Sequence, residues 1–183
     1  MEHILITGVS GYFGWKLVKL LENKTEVARI TGIDIKSPAF NSPKLKFLKY
    51  DVRDNLDKVF RGRNIDCVIH TAYILPPIHD KTLMEDININ GTKNVLNASA
   101  AYGVRQILDC SSSTAYGFHP DNPQRLTEES PLRGNDDFTY AKNKKEIEAW
   151  IRCFETDHPG ILFTTIRPCF VVGPGFTNPL ARH

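Results

Sequence analysis

Met1-Glu2-His3-Ile4-Leu5-Ile6-Thr7-Gly8-Val9-Ser10-Gly11-Tyr12-Phe13-Gly14 is the stretch that decides the fold. His3–Thr7 is a short apolar run closed by Gly8, and Leu17, Val18, Leu20 and Leu21 follow at helical spacing up to about Asn23. A strand therefore feeds a helix through a turn with glycines at positions 8, 11 and 14. Gly8 permits the tight exit from the strand, Gly11 lets the backbone approach a pyrophosphate, and Gly14 lets the helix pack closely on the sheet. A helix N-terminus placed there offers N–H groups and partial positive charge to phosphates. The turn predicts a dinucleotide site over Gly8, Ser10, Gly11, Tyr12, Phe13 and Gly14.

Asp34 ends the next apolar run, Arg29–Asp34, twenty residues after Gly14. A carboxylate at that spacing accepts hydrogen bonds from both ribose hydroxyls of the adenosine and repels a 2′-phosphate. NAD is therefore the expected cofactor, with Lys36 acting in the opposite sense, toward NADP.

The same alternation continues along the chain. Leu45–Tyr50 reads as a third strand, Asp54–Phe60 as a short helix and Cys67–Thr71 as a fourth strand. A long helix is predicted over Leu83–Tyr102, stopped by Gly103, then a fifth strand at Arg105–Cys110. Phe118–Asp136, rich in Pro, Asn, Asp and Gly, reads as a long loop. Phe138–Phe154 returns to helix and Ile161–Ile166 to strand. Strands separated by helices imply right-handed crossovers, so the fold class is α/β: a Rossmann-type, doubly wound parallel sheet with helices on both faces. With 183 residues, 41% of them hydrophobic and 24% charged, the chain suits one globular domain over residues 1–183.

A net charge of +2 is too weak a bias to point to nucleic acid or a membrane surface. No apolar run approaches the ~18 residues that span a bilayer, and the N-terminus lacks a basic leader, so a cytoplasmic protein is expected. Cys67, Cys110, Cys153 and Cys169 form no Cys-x-x-Cys pair and no zinc-spaced cluster with His. They are expected to be buried free thiols, three of them inside strand-like runs, and no metal is expected.

Six further stretches follow in order: Asp51-Val52-Arg53-Asp54, His70-Thr71-Ala72, Asn88-Ile89-Asn90-Gly91-Thr92-Lys93-Asn94-Val95-Leu96, Ser111-Ser112-Ser113-Thr114-Ala115-Tyr116-Gly117, Tyr140-Ala141-Lys142-Asn143-Lys144, and Arg167-Pro168 leading to Gly173-Pro174-Gly175. With the glycine turn and Asp34, they make the chain resemble the extended short-chain dehydrogenase/reductase family. It is most similar to the NAD-dependent epimerase/dehydratase group, the UDP-glucose 4-epimerase-like proteins among them. The resemblance implies that Asp51 and Val52 flank the adenine and that Ala72 lies along the cofactor. It also implies that Asn88 fixes a helix near the nicotinamide half, that Ser111 lines the cofactor, and that Pro168 borders the nicotinamide. Asn88 as a helix cap and Ala72 as a packing residue are the plain alternatives.

Tyr140 and Lys144 stand four apart on a predicted helix, about 40° from each other on one face, while Lys142 and Lys145 point elsewhere. A tyrosine, with a pKa near ~10, is a poor base at neutral pH. A nearby ammonium and a cationic nicotinamide would stabilise its phenolate. Lys144 is expected to do this while also holding the nicotinamide ribose. Ser112, four residues before Tyr116, matches the family's Ser/Thr position, with Ser111 and Ser113 as rivals one register away. Its hydroxyl would bond the reacting oxygen. Where dehydratases of this group carry Asp-Glu after that hydroxyl residue, this chain has Ser113 and Thr114, so dehydration is disfavoured.

The resemblance thus implies reversible oxidation of a secondary alcohol on a nucleotide-sugar, with epimerisation through a keto-sugar. A dehydrogenase or reductase of another small alcohol or ketone, and a non-catalytic NAD(H)-binding module, are the rivals. Family members continue into a C-terminal substrate lobe, so the stop at Leu180-Ala181-Arg182-His183 implies that this lobe is largely missing. A homodimer through the two long helices is also implied. Ile147, Trp150, Ile151 and Phe154 would give it an apolar face, unless that face packs on the sheet.

Overall fold

A computed structural model describes residues 2–75 and 80–175; the terminal Leu180–His183 lies outside the described residues. Its frame is one six-stranded sheet: β1 (Glu2–Thr7), β2 (Val27–Asp34), β3 (Leu45–Lys49), β4 (Cys67–His70), β5 (Gln106–Cys110) and β6 (Leu162–Ile166). Every pairing is parallel, in the order β3-β2-β1-β4-β5-β6. Ile4 lies beside Ile30 on one side and Cys67 on the other.

The alternation of side chains along a strand explains the two-sided core. Leu5, Ile33, Val68 and Ile107 face one way and pack against Val95 and Leu96 of α4 (Gly91–Ala101) and Ile147, Ile151 and Phe154 of α5 (Thr139–Asp157). Ile4, Ile6, Ile30 and Ile69 face the other way, toward Val9 and Val18, the latter on α1 (Tyr12–Leu21). Each aliphatic side chain fully buried in this way contributes roughly 1.5–3 kcal/mol. The order reverses direction between β1 and β4, which opens a crevice at the carboxyl ends of those strands, where ligands of doubly wound sheets bind.

Three details depart from the sequence reading: the length of the short helix, the course of the helix predicted over Leu83–Tyr102, and two of the four cysteines. The short helix α2 is confined to Asp57–Phe60. The helix predicted over Leu83–Tyr102 begins earlier and is interrupted: α3 (Lys81–Glu85) runs into a π-helical turn at Asp86–Asn90 before α4. The turn is held from outside the helix, because the Asn88 amide grips both backbone groups of Ile74, accepting from its N–H at 2.8 Å and donating to its carbonyl at 3.1 Å. Cys67 and Cys110 are buried in strands, and burial pushes both thiols up to about 11. Cys153 and Cys169 are exposed, because one sits on the outer face of α5 and the other follows β6 in irregular backbone.

The apolar face of α5 resolves in favour of the sheet. Ile147, Ile151 and Phe154 are buried in the chain's own core, with Trp150 partly buried beside them. The loop after Gly117 is pinned rather than free. Asn135 accepts from the Phe118 N–H at 2.7 Å, and the ring Nε2 of His119 bonds the Arg133 carbonyl at 2.7 Å. Among the described residues no helix is long and apolar enough to cross a membrane.

Candidate active site

The glycine turn lies where β1 meets α1 at the carboxyl edge. Gly8 takes φ +69°, a left-handed conformation that L side chains rarely adopt, and a Cβ there would stand 2.9 Å from the backbone of Ala72. A Cβ at Gly14 would stand 2.5 Å from the Gly8 carbonyl oxygen and the Val9 Cα. The turn is therefore closed by backbone on backbone. Gly11 caps α1 without a side chain, leaving the first turn of the helix open to an anion.

Asp34 sits at the rim of this turn. Its carboxylate accepts from the Ser10 N–H at 3.1 Å and the Lys36 N–H at 3.0 Å, and the Ser10 hydroxyl donates to the Lys36 carbonyl at 2.6 Å. The end of β2 and the glycine turn are thereby locked in one geometry. Tyr12 and Phe13 meet edge to face at 6.4 Å, and a Cβ on Gly173 would fall 2.5 Å from the Tyr12 hydroxyl. These residues suit a dinucleotide: a phosphate-accepting turn, no side chain in its way, and a carboxylate at the ribose position.

The other expected contacts separate. Ala72 lies against Gly8, at the mouth of the turn. Asp51 is engaged by Arg53, which also reaches Asp86 at 2.9 Å; the Arg53 guanidinium holds the Asp51 carboxyl below its ordinary range. The Val52 side chain is buried in the core beneath α4. Asn88 holds the segment after β4 rather than capping a helix. The Pro168 carbonyl accepts from the Ser113 N–H at 3.0 Å, which ties the chain after β6 to the serine run.

The three serines divide cleanly. Ser111 is buried and donates its hydroxyl to Glu148, which is clasped by Arg167 through Nε at 2.9 and 3.0 Å; Arg167 also donates to the Tyr116 hydroxyl at 3.0 Å. Ser113 opens a 3-10 turn over Ser113–Tyr116. Of the three, the Ser112 hydroxyl is the one that pulls on the Tyr140 phenol, in the direction that lowers its pKa. It also accepts from the Thr114 N–H at 3.2 Å.

Tyr140 and Lys144 come from the first two turns of α5, and both are buried. Burial pushes the Tyr140 phenol well above its ordinary range, against the pull of the Ser112 hydroxyl. Lys144 is not among the groups that shift this phenol here. The Lys144 ammonium donates to the Cys110 carbonyl at 2.7 Å and lies 2.8 Å from the Tyr73 ring centroid, against 5.6 Å from that of Tyr140. Lys142 pairs with Glu85 and Glu146, and Lys145 with Asp136, so neither joins the site.

Beneath Tyr140 and Lys144 runs a buried polar chain. The Thr7 hydroxyl meets His70 Nδ1 at 2.7 Å, and His70 Nε2 meets the Thr92 hydroxyl at 2.9 Å. Thr92 donates to the Asn88 carbonyl at 2.6 Å, so His70 is assigned as the Nε2–H tautomer, donating to Thr92 and accepting from Thr7. Burial, with the Lys144 charge adding to it, pushes His70 down to about 3 and keeps it neutral. Tyr73 then donates to Asp109 at 2.5 Å. The sequence reading missed Tyr73, Asp109 and Glu148 and gave no role to His70 or Arg167. Asp109 carried one signal, a carboxylate inside the apolar run of β5.

Comparison with known proteins shows the family. The NAD dependent epimerase/dehydratase family profile matches residues 4–183. A UDP-glucose 4-epimerase of Oryza sativa subsp. japonica is 32% identical over 200 residues, covering 98% of this chain and 45% of that protein. Among solved structures, the Bordetella bronchiseptica enzyme WbmH in complex with NAD+ superposes with a TM-score of 0.84 at 24% identity, covering 100% of this chain and 61% of that one. A monomeric L-threonine 3-dehydrogenase from a metagenome superposes at 0.76 with 30% identity, covering 90% and 53%. The chain spans about half the length of the curated relatives it matches. With a Rossmann-type sheet, a glycine turn and a Ser112/Tyr140/Lys144 cluster on one crevice, the chain belongs to the NAD dependent epimerase/dehydratase family, with NAD as its cofactor.

Proposed function

We propose that this chain is the cofactor-binding part of an enzyme that oxidises a secondary alcohol on a nucleotide-sugar and reduces the keto-sugar on its other face, an epimerisation. The observation that carries this reading is the buried Tyr140, one helical turn from Lys144 and under the pull of the Ser112 hydroxyl, at the carboxyl edge of the sheet. NAD, when bound, takes up and returns a hydride. Gly8, Ser10, Gly11, Tyr12, Phe13 and Gly14 would hold its phosphates, Asp34 its adenosine ribose, and Ala72, Asn88 and Pro168 the path toward the nicotinamide. Asp51 and Val52 would approach the adenine by backbone, since their side chains are engaged elsewhere. Ser111 would support the site from behind through Glu148.

Tyr140 takes the proton from the substrate hydroxyl and later gives one back, while Ser112 holds the same oxygen. Burial holds the phenol protonated in the absence of added positive charge, so proton removal depends on cations close to it. Lys144 is the cation this chain supplies. Ser113 and Thr114 offer no carboxylate for removing water, which sets dehydration aside.

Likeness to the rice epimerase supports a UDP-sugar as substrate. Likeness to the L-threonine 3-dehydrogenase favours a second reading, net oxidation of a small alcohol. Turnover separates them. Offered UDP-glucose or UDP-galactose, an epimerase interconverts the two without added NAD. A dehydrogenase accumulates NADH in step with product. NAD binding with no turnover of any alcohol overturns both. A cytoplasmic location and pairing of two copies through α4 and α5 belong to the same proposal, and sedimentation at micromolar concentration tests the pairing.

A further inference from the structure

Lys144 occupies an unusual setting for an ammonium. It is 1% exposed, and its hydrogen bond goes to a carbonyl, that of Cys110. Its other close neighbour is the face of the Tyr73 ring, with the nitrogen 2.8 Å from the centroid. That ring is fixed on two further sides. Its hydroxyl donates to Asp109 Oδ1 at 2.5 Å, and its edge meets His70 at 4.9 Å. Asp109 is fully buried, and its Oδ2 has no hydrogen-bond partner among the described residues. A buried carboxylate with one oxygen unsatisfied is strongly disfavoured unless a cation compensates it.

We propose that Tyr73 and Asp109 are positioning residues for Lys144: the carboxylate anchors the Tyr73 hydroxyl, and the anchored ring holds the ammonium within reach of Tyr140. This rests on the role given to Lys144 under the proposed function. A flexible lysine beside an unanchored ring would sample many rotamers, whereas an aromatic face fixed at both ends restricts it. Asp109 adds charge to the same effect. The groups facing Lys144 are Asp109 and Cys110 from β5, Glu148 and Tyr140 from α5, and Tyr73 and His70 from β4 and the segment after it. Burial pushes Lys144 down to about 8, against the opposing pull of Asp109, Cys110 and Glu148. Removing the carboxylate removes the first of those pulls, so the ammonium is lost at lower pH.

The test is a 13C-lysine NMR titration of the chain, with Asp109→Asn, Tyr73→Phe and Tyr73→Leu. In the parent chain the Lys144 ε-CH2 signal is expected far upfield, from the ring current of Tyr73. Asp109→Asn is expected to make the proton at least tenfold easier to lose and to shrink the upfield shift. Tyr73→Leu is expected to abolish that shift, and Tyr73→Phe to at least halve it by freeing the ring. In turnover, Asp109→Asn is expected to lower kcat at least tenfold with calorimetric NAD affinity little changed, and to move the alkaline limb of the rate profile to lower pH.

If the parent chain turns over and Asp109→Asn leaves both the Lys144 midpoint and the ring-current shift unmoved, the proposal falls. If the shifts move as expected while the parent chain turns over no alcohol, the positioning stands and the proposed function falls. Should Asp109→Asn fail to fold, an unchanged Lys144 shift in Tyr73→Phe overturns the proposal by itself.

Discussion

Replacing Gly14 by alanine tests the glycine turn in a form the structure makes quantitative. A Cβ there meets the Gly8 carbonyl oxygen and the Val9 Cα at 2.5 Å and the Val9 carbonyl oxygen at 2.6 Å. All three are backbone atoms, so no side-chain rotation relieves the clash. Overpacking of this kind costs about 3 kcal/mol at the upper end of its usual range. Gly14 lies inside α1, where alanine regains about 1 kcal/mol of helix propensity, so a net loss of about 2 kcal/mol is expected. For a chain of this size that lowers Tm by about 4–8 °C. The turn must also open to admit the methyl group, so NAD affinity measured calorimetrically is expected to fall at least about tenfold, or 1.4 kcal/mol. Gly160→Ala is the control. Nothing lies within 4 Å of its Cβ position, so Tm is expected to hold. A Gly14→Ala chain that melts and binds NAD like the parent would refute the close approach of β1, α1 and the turn.

Other expected outcomes follow from the same geometry. Asp34→Asn removes the charge at the ribose position and is expected to weaken NAD by roughly 10–100-fold, one charge-assisted hydrogen bond's worth, while narrowing the gap to NADP; equal NAD affinity would contradict the assignment. Tyr140→Phe is expected to lower kcat by about 10²–10⁴-fold with NAD affinity little changed, read by steady-state kinetics and calorimetry. Glu148→Ala strands the Arg167 guanidinium and the Ser111 hydroxyl, and an expected loss of about 3–5 kcal/mol would show in urea unfolding; a loss below about 1 kcal/mol would count against a structural role for that cluster. His70 has a folded value of about 3 against an ordinary 6.5, so the unfolded chain binds this proton first. Its contribution is complete above pH 6.5 and is lost as pH falls toward 3, on the order of 5 kcal/mol in all. Ring 15N shifts at pH 5 are expected to be those of the neutral Nε2–H tautomer, and a protonated ring there would contradict the buried chain.

What the sequence disclosed and what it withheld divide along physical lines. Strand runs such as His3–Thr7 and Cys67–Thr71 are legible because a strand buried on both faces needs consecutive apolar residues, and the parallel, doubly wound arrangement follows from alternation with helices. Gly8, Gly14 and Asp34 are legible because their spacing is local. The π turn at Asp86–Asn90 is not, since it answers to a grip on Ile74 fourteen residues away. Ser111 and Ser112 look alike in sequence, and only the distant Glu148 separates them. The Tyr73–Asp109 pair joins the segment after β4 to β5, so no window of sequence contains it. The apolar stripe of α5 was ambiguous for a different reason: helical period shows that a face is apolar, not which surface it meets.

The most direct test of the central claim is a crystal structure of the chain with NAD. The account predicts the pyrophosphate on the turn from Gly8 to Gly14, the adenosine ribose on Asp34, and the nicotinamide beside the Tyr140 and Ser112 hydroxyls with Lys144 near its ribose. NAD bound elsewhere, or bound in the turn with its nicotinamide turned away from Tyr140, would contradict it.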